Sequence, residues 1–449
     1  MTTHIQSIIL SVTMILVQIG ISSGWSSPYL AKFTSGNSTE LNISLEEASW
    51  VASLLNLGRL VGAIVGSIAV NYIGSKCTLL WTLVPMSLCW CFIMLAKSAT
   101  CLYIGRFCGG LSLGMTYSSF PLFLGEVALP EIRGSLVSFA SAGGTFGLLI
   151  SFITGSFLDK VVSAAMYLVP CFFLMILFAW LPESPHHLVR VGKTEKAKKS
   201  IAFYRAGVQL EEELDAVTRF VANADALSFG KKLQLFRQPA ISRATLLIVL
   251  LWSFNQLSGF NSVLFYMEII LKQAKAEIIE PKIVVMMVSA AGVVMSIITI
   301  FLVDSCGRRP LLMISSLGVS LSMASLGVYF TLMEMGHDIS QLQWLPIMSI
   351  FSFNISFFMG MLVIPSTVLS ELFPSNIKCI AACFASVSGA ISSFISTKSY
   401  QPLISLIGQG NVYFMHAFIT ILIIPYAYIF MPETKGKTLQ QIQDEIING

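Results

Sequence analysis

Charge is what this sequence has least of. Asp, Glu, Lys and Arg make up 11% of its 449 residues, against 55% hydrophobic ones. Soluble domains carry about 25% charged residues, so a large soluble enzyme is excluded. The net charge of +4 is small and suggests no nucleic-acid partner. Reactive clusters are missing too. No nucleophile–base pair and no set of metal ligands stands out, so neither catalysis, nor a metal, nor a cofactor is expected. The nine cysteines are Cys77, Cys89, Cys91, Cys101, Cys108, Cys171, Cys306, Cys379 and Cys383. Most lie in apolar runs or in loops read as cytoplasmic, which leaves no disulfide framework. The N-terminus lacks a basic leader segment and a clear cleavage site, so the first apolar run reads as a retained helix.

Long apolar runs fill the chain instead. A span of the hydrocarbon core takes about 20 mostly apolar residues. Twelve runs qualify: 7–30, 48–70, 78–97, 101–127, 135–157, 164–181, 244–268, 282–303, 310–333, 344–370, 380–404 and 412–431. The one long polar interval, 182–243, separates six from six. The expected fold is therefore an all-α membrane protein. Two six-helix bundles, 1–181 and 244–431, are joined by a cytoplasmic linker, and a cytoplasmic tail covers 432–449. Within the linker, Leu210, Leu214, Val217 and Val221 recur at helical spacing among Glu211, Glu212, Glu213 and Asp215, the pattern of a short amphipathic helix.

Orientation follows from Lys and Arg, which concentrate on the cytoplasmic side. With both termini inside, Lys76, Arg133, the basic residues of 182–243, Arg308, Arg309, Lys378, Lys435 and Lys437 all lie inside. A multi-pass protein of the cell membrane is expected, with the bilayer and a small solute as its partners and a monomer as its working unit. Asn37-Ser38-Thr39 and Asn42-Ile43-Ser44 fit the glycosylation acceptor pattern in a loop this topology places outside.

The two halves echo each other. Asn71-x-x-Gly74-Ser75-Lys76 follows the second run and Asp304-x-x-Gly307-Arg308-Arg309 the eighth. Glu126 and Arg133 follow the fourth, with Glu371 and Lys378 equally spaced after the tenth. Pro182-Glu183-Ser184-Pro185 ends the sixth and Pro432-Glu433-Thr434-Lys435 the twelfth. Acids and bases at cytoplasmic helix ends can pair with each other and with helix termini. The expected cytoplasmic gate comprises Lys76, Arg106, Glu126, Arg133, Asp304, Arg308, Arg309, Glu371 and Lys378, clasping one half to the other when the inner side is closed and parting when it opens. The plainer alternative is that these charges only mark topology.

At these residues, together with Gly105-Arg106-Phe107, Asn255-Gln256-Leu257-Ser258-Gly259-Phe260-Asn261 and Glu371-Leu372-Phe373-Pro374, the chain resembles the sugar porter family of the major facilitator superfamily. Within it the chain is most similar to the insect facilitated trehalose transporters. The resemblance implies two bundles rocking about a central solute. It also implies that Gln256 and Asn261 bind sugar hydroxyls, with Asn255 beside them. Ser141 and Ser366 stand where the family's glucose facilitators have a Gln and a Trp. Gly292 and Gly389-Ala390 stand for an Asn and an Asn-Trp pair, and Phe358 stands for a Glu. The candidate solute-binding set is thus Gln256, Asn255, Asn261, Ser141, Ser366 and Ser22. Ser22 occupies the position where the family's proton symporters carry an Asp, and no Asp or Glu falls in the middle of any apolar run. Facilitated uniport of a sugar, trehalose or a hexose, is expected. Arg59 and Lys398, charges within spans, and the absent amides keep a different organic solute open, and a non-transporting sensor behind it.

Overall fold

A computed structural model of the chain describes residues 3–36, 41–128, 133–205, 209–225, 229–276, 278–373, 377–435, 437 and 441. Among them the chain is almost wholly helical and has no strand. Eleven helices are long and apolar enough to cross a membrane. A twelfth, Ala99–Val127, has the length at 29 residues, but its glycines, serines and Arg106 lower its hydropathy. The twelve-span reading holds. Spans 1 to 6 are Thr3–Gly24 with Ser26–Phe33, Leu45–Ile73, Ser75–Met94, Ala99–Val127, Arg133–Phe157 and Lys160–Trp180. Spans 7 to 9 are Pro239–Leu257 with Phe260–Gln273, Pro281–Cys306 and Arg308–Glu334. Span 10 runs through Trp344–Ser356, Phe357–Met361 and Ile364–Leu372. Spans 11 and 12 are Lys378–Ile407 and Gln409–Ile421 with Ile423–Phe430.

Helices form because lipid offers the backbone no hydrogen-bond partner, so each segment must satisfy itself. Local chemistry sets their ends. Ser44 caps span 2 in a reciprocal pair with Glu47: its Oγ accepts the Glu47 N–H, and its own N–H reaches the Glu47 carboxylate at 2.8 Å. Glycine then sets the packing. A β-carbon at Gly62 would overlap the Leu111 carbonyl, and one at Gly110 would overlap that of Leu55. Spans 2 and 4 therefore meet backbone to backbone, the close approach that small residues permit in a bilayer.

Two spans are broken near their middles. Span 7 is interrupted at Ser258 and Gly259, where Gly259 has φ 87°. Span 10 carries a π-helical stretch at Phe357–Met361, and such stretches loosen the regular hydrogen-bond ladder. Side chains from neighbouring spans satisfy the groups around it. Ser315 Oγ accepts the Met361 N–H at 2.9 Å and donates to the Ser356 carbonyl at 2.7 Å. Thr299 donates to the Phe358 carbonyl at 3.0 Å, and the Asn255 amide donates to the Met361 carbonyl.

The linker is helical at Pro185–Arg190, Thr194–Tyr204, Leu210–Asp225 and Phe229–Leu235. The third of these has the expected amphipathic face, with Leu214, Val217 and Val221 buried. Leu214 packs on Leu188, Ala197 and Ile201, so this helix rests on the linker's own earlier helices. Arg205, 5% exposed, donates to the carbonyls of Glu126 at 2.8 Å and Ala128 at 3.3 Å and pairs with Glu213. The linker is thereby bolted to the end of span 4.

The bonds described between the first six spans and the last six all lie toward the face away from the linker. The Glu268 N–H donates to Ser27 Oγ at 3.1 Å. Ser49 Oγ donates to the Lys398 carbonyl at 3.3 Å, and Asn56 Nδ2 to Thr397 Oγ1 at 3.2 Å. The Lys398 ammonium sits 4.0 Å from the centre of the Trp50 ring, a cation–π contact. Lys398 thus joins this seal between the halves.

Candidate functional site

Beneath that seal lies a small hollow between the halves, lined by Thr145, Leu148, Leu264, Ser289, Asn354 and Phe358. Thr145 and Leu148 come from span 5, and the rest from spans 7, 8 and 10. Toward the linker the same faces open. Ser141, one turn below Thr145, is exposed, as are Leu362 and Ser366 below Phe358. The chain is therefore sealed on one face and accessible from the other.

The broken span 7 brings its amides close by. Asn261 Nδ2 donates to Gln256 Oε1 at 2.6 Å across the break. That bond leaves the Gln256 NH₂ as a donor and the Asn261 carbonyl oxygen as an acceptor. Beside them Trp252 takes the room left by Gly389: a β-carbon there would sit 2.9 Å from the indole ring and 3.8 Å from Gln256. The Trp252 indole N–H is buried without a partner among the described residues. Sequence reasoning passed over this indole because one Trp in an apolar run looks like packing.

Two members of the expected solute set, Asn255 and Ser22, are turned away from the hollow. Asn255 is turned to the π-helical stretch, where the Met361 carbonyl takes its amide. Ser22 is wholly buried. Its hydroxyl faces Gly109 and Cys89 between spans 1, 3 and 4, away from the hollow. Ser141 and Ser366 are exposed; each donates back to its own helix, to the carbonyls of Val137 at 2.7 Å and Val363 at 2.8 Å, and keeps its oxygen as an acceptor. Gln256 and Asn261 between them keep both an amide donor and a carbonyl acceptor to offer.

A second cluster occupies the linker face, where two turns repeat almost atom for atom. Gly74 has φ 90° and ψ 162° and Gly307 has φ 88° and ψ 163°, a region essentially restricted to glycine. After Gly74, the Glu183 carboxylate accepts the N–H groups of Lys76 and Cys77, both at 3.1 Å. After Gly307, the Glu433 carboxylate accepts those of Arg308 and Arg309, both at 3.0 Å. Each acid thus caps the helix that follows the glycine and meets the positive end of its dipole. Burial alone would raise the Glu433 carboxyl, but the N–H groups of Lys435, Arg308 and Arg309 outweigh it and hold the group below the usual carboxylate value. The proline-flanked motifs pointed to Glu183 and Glu433 as landmarks and missed them as caps.

The second acid of each turn differs between halves. Glu371 forms an ion pair with Arg308, 2.9 Å from Nη2 and 3.2 Å from Nε. Glu126 accepts a 2.5 Å hydrogen bond from the Ser75 hydroxyl. These partners lie within one half each; a clasp across halves is expected only when this face is closed. Arg309 reaches the Tyr428 carbonyl, and its guanidinium lies 4.7 Å from the Tyr428 ring. Lys76 is buried, and Lys378 is half-buried at the start of span 11. The side chains of Arg133 and Asp304 lie outside the described residues, as does Asn37. Asn42 is exposed.

Arg106 does not belong to this face, contrary to expectation. It lies in the half of span 4 nearer the seal and is fully buried. It donates to the carbonyls of Ser22 at 2.5 Å and Val51 at 3.3 Å and to Ser26 Oγ at 2.7 Å. A buried charge needs such partners, and spans 1 and 2 supply them.

Comparison with known proteins gives the same outline. The family described as "Sugar (and other) transporter" matches residues 6–446. The facilitated trehalose transporter Tret1 of Bombyx mori is 32% identical over 437 residues, 96% of this chain and 85% of that protein. Its namesake in Drosophila pseudoobscura pseudoobscura is 30% identical over 441 residues, 98% of this chain and 50% of that protein. The chain thus spans about half the length of the Drosophila relatives it matches. Among solved structures, the inward-open conformation of the xylose transporter XylE from E. coli is 21% identical, with a TM-score of 0.80 over 98% of this chain and 99% of that one. The proton:xylose symporter XylE bound to 6-bromo-6-deoxy-D-glucose is also 21% identical, with a TM-score of 0.78 over 99% of each chain. At that identity the two establish a common fold.

Proposed function

Because the chain belongs to the sugar (and other) transporter family, we propose that it carries a sugar, trehalose or a hexose, down its gradient by alternating access. The chain is a multi-pass membrane protein. In this reading it works as a monomer in the cell membrane, with both termini and the linker cytoplasmic. Residues 1–181 and 244–431 move as the two rocking units. The observation that carries the reading is the hollow itself. It lies between the halves, sealed by cross-half bonds on one face and accessible from the other, beside the free amide groups of Gln256 and Asn261. Alternating access needs such a state and its mirror, separated by only a few kcal/mol.

Uniport is supported by the surroundings of Arg106. Its hydrogen bonds end on neutral carbonyls and a hydroxyl, and position 22 offers no carboxylate to gain and lose a proton. The test is uptake into proteoliposomes of labelled trehalose, glucose, xylose and an anionic solute. The expected sugar equilibrates across the membrane and ignores a protonophore. Accumulation that collapses with the protonophore would overturn uniport, and failure of every sugar would overturn sugar transport. Gln256→Ala is expected to cut uptake strongly, and unchanged uptake removes that residue from the site. A different organic solute is the second reading, favoured by Arg59. This half-buried guanidinium in span 2 lies near Tyr117, with no carboxylate partner among the described residues. Uptake of the anionic solute alone would select it.

A further inference from the structure

Position 292, midway along span 8, carries no side chain. A β-carbon built there would meet Asn354 Oδ1 at 2.7 Å and the Phe358 ring at 3.4 Å. The room a larger residue would fill is therefore taken by an amide reaching across from span 10. That amide is buried, 5% exposed, yet its Oδ1 has no hydrogen-bond partner among the described residues. Buried polar atoms without a partner are rare and require an explanation. Asn255, one of the other amides near the core of these halves, is engaged by backbone, and Asn261 is bonded to Gln256. Asn354 alone among the three has an unpartnered oxygen in the wall of the hollow.

The rest of that wall identifies what could satisfy it. Two hydroxyls, Thr145 and Ser289, and the Phe358 ring line the same hollow with Leu148 and Leu264. None of these side chains is ionisable, so the hollow holds no countercharge for a charged group. An amide accepts a hydrogen bond from a hydroxyl and donates to one, while the apolar wall suits the C–H faces of a ring. The enclosed space is about 10 Å³, room for about one water molecule, so it takes a single hydroxyl of a solute whose body lies toward the open side.

We propose that Asn354 is a solute-binding residue whose amide, delivered from span 10 into the space left by Gly292, hydrogen-bonds one hydroxyl of a neutral polyhydroxylated solute. The proposal rests on the reading of the chain as a sugar carrier and names a contact that reading did not contain.

The test compares the purified wild-type protein with Asn354→Leu, a near-isosteric replacement, and Asn354→Ala, which only removes atoms. Binding of the transported sugar and of its single-deoxy analogues is measured by calorimetry, and stability by thermal melting in detergent. Both variants are expected to bind the sugar about tenfold more weakly, about 1.4 kcal/mol. Asn354→Leu should melt no lower than wild type, because it removes a buried polar atom that lacked a partner. One deoxy analogue should bind wild type and variants alike. Adding Gly292→Asn to Asn354→Ala returns an amide to the same space and should restore part of the affinity. Unchanged affinity in both single variants overturns this proposal alone, and a lowered melt with unchanged affinity makes Asn354 a packing residue. A wild-type protein that binds none of the sugars overturns the carrier reading and this proposal with it.

Discussion

The two linker-face turns are one backbone built twice with different chemistry. At Gly74 and Gly307 the dihedral angles agree within a few degrees, and Glu183 and Glu433 cap the following helices in the same way. The residue after the glycine then changes the interaction. Arg308 gives Glu371 a cation, whereas Ser75 gives Glu126 only a hydroxyl. The last six spans are held by a direct ion pair, whereas in the first six Glu126 is held by hydroxyl donors, with the Arg190 charge in its surroundings. Salt and charge substitution should therefore act on one half more than on the other.

The strongest way to break the comparison is through the shared part. Gly307→Ala and Gly74→Ala each force a side chain into a conformation essentially restricted to glycine, against a carboxylate oxygen at 2.9 Å and 2.8 Å respectively. Each should cost about 3 kcal/mol and lower the melting temperature similarly in both halves. Unequal losses would mean that the turns are alike in shape only. Next comes the part that differs. Glu371→Gln should cost about 2 kcal/mol and Glu126→Gln about 1 kcal/mol, reflecting a charged and a neutral donor. Raising the salt concentration should shrink the first loss and spare the second, and equal losses at all salt concentrations would erase the contrast.

Glu433 adds a pH signature. Its carboxyl is held below its ordinary value in the folded chain, so its contribution is complete above the unfolded value. It is lost as pH falls through the lowered folded one. Melting curves of wild type and Glu433→Gln should therefore diverge above pH 5 and converge in acid; parallel curves would refute the cap. The smallest effect is the exchange itself. Ser75→Arg should give the first half a pair like that of the second, worth under about 1 kcal/mol and visible only at low salt.

Much of this was legible in the sequence, for a physical reason. A bilayer enforces a minimum apolar length, so every span could be placed, and the repeat of Gly74 with Gly307 showed where the matching turns lie. Contacts were less legible. Arg106 reads as a charge near a gate, and only the packing of spans 1 and 2 on span 4 brings carbonyls to its guanidinium. Asn255 and Gln256 are neighbours of similar chemistry, yet a π-helical stretch in a distant span decides that one serves the backbone. Asn354 was overlooked for the converse reason. A single Asn in an apolar run looks like helix glue until the gap opposite it, at Gly292, is seen in space.

Arg205 has one more consequence. Because its guanidinium grips the carbonyls that end span 4 and the acid of the helix Leu210–Asp225, that helix is cargo of the leading half, not a free tether. A fluorophore attached to it would track one rocker arm, and a second probe on span 11 would turn each swing of the carrier into a distance change readable by energy transfer.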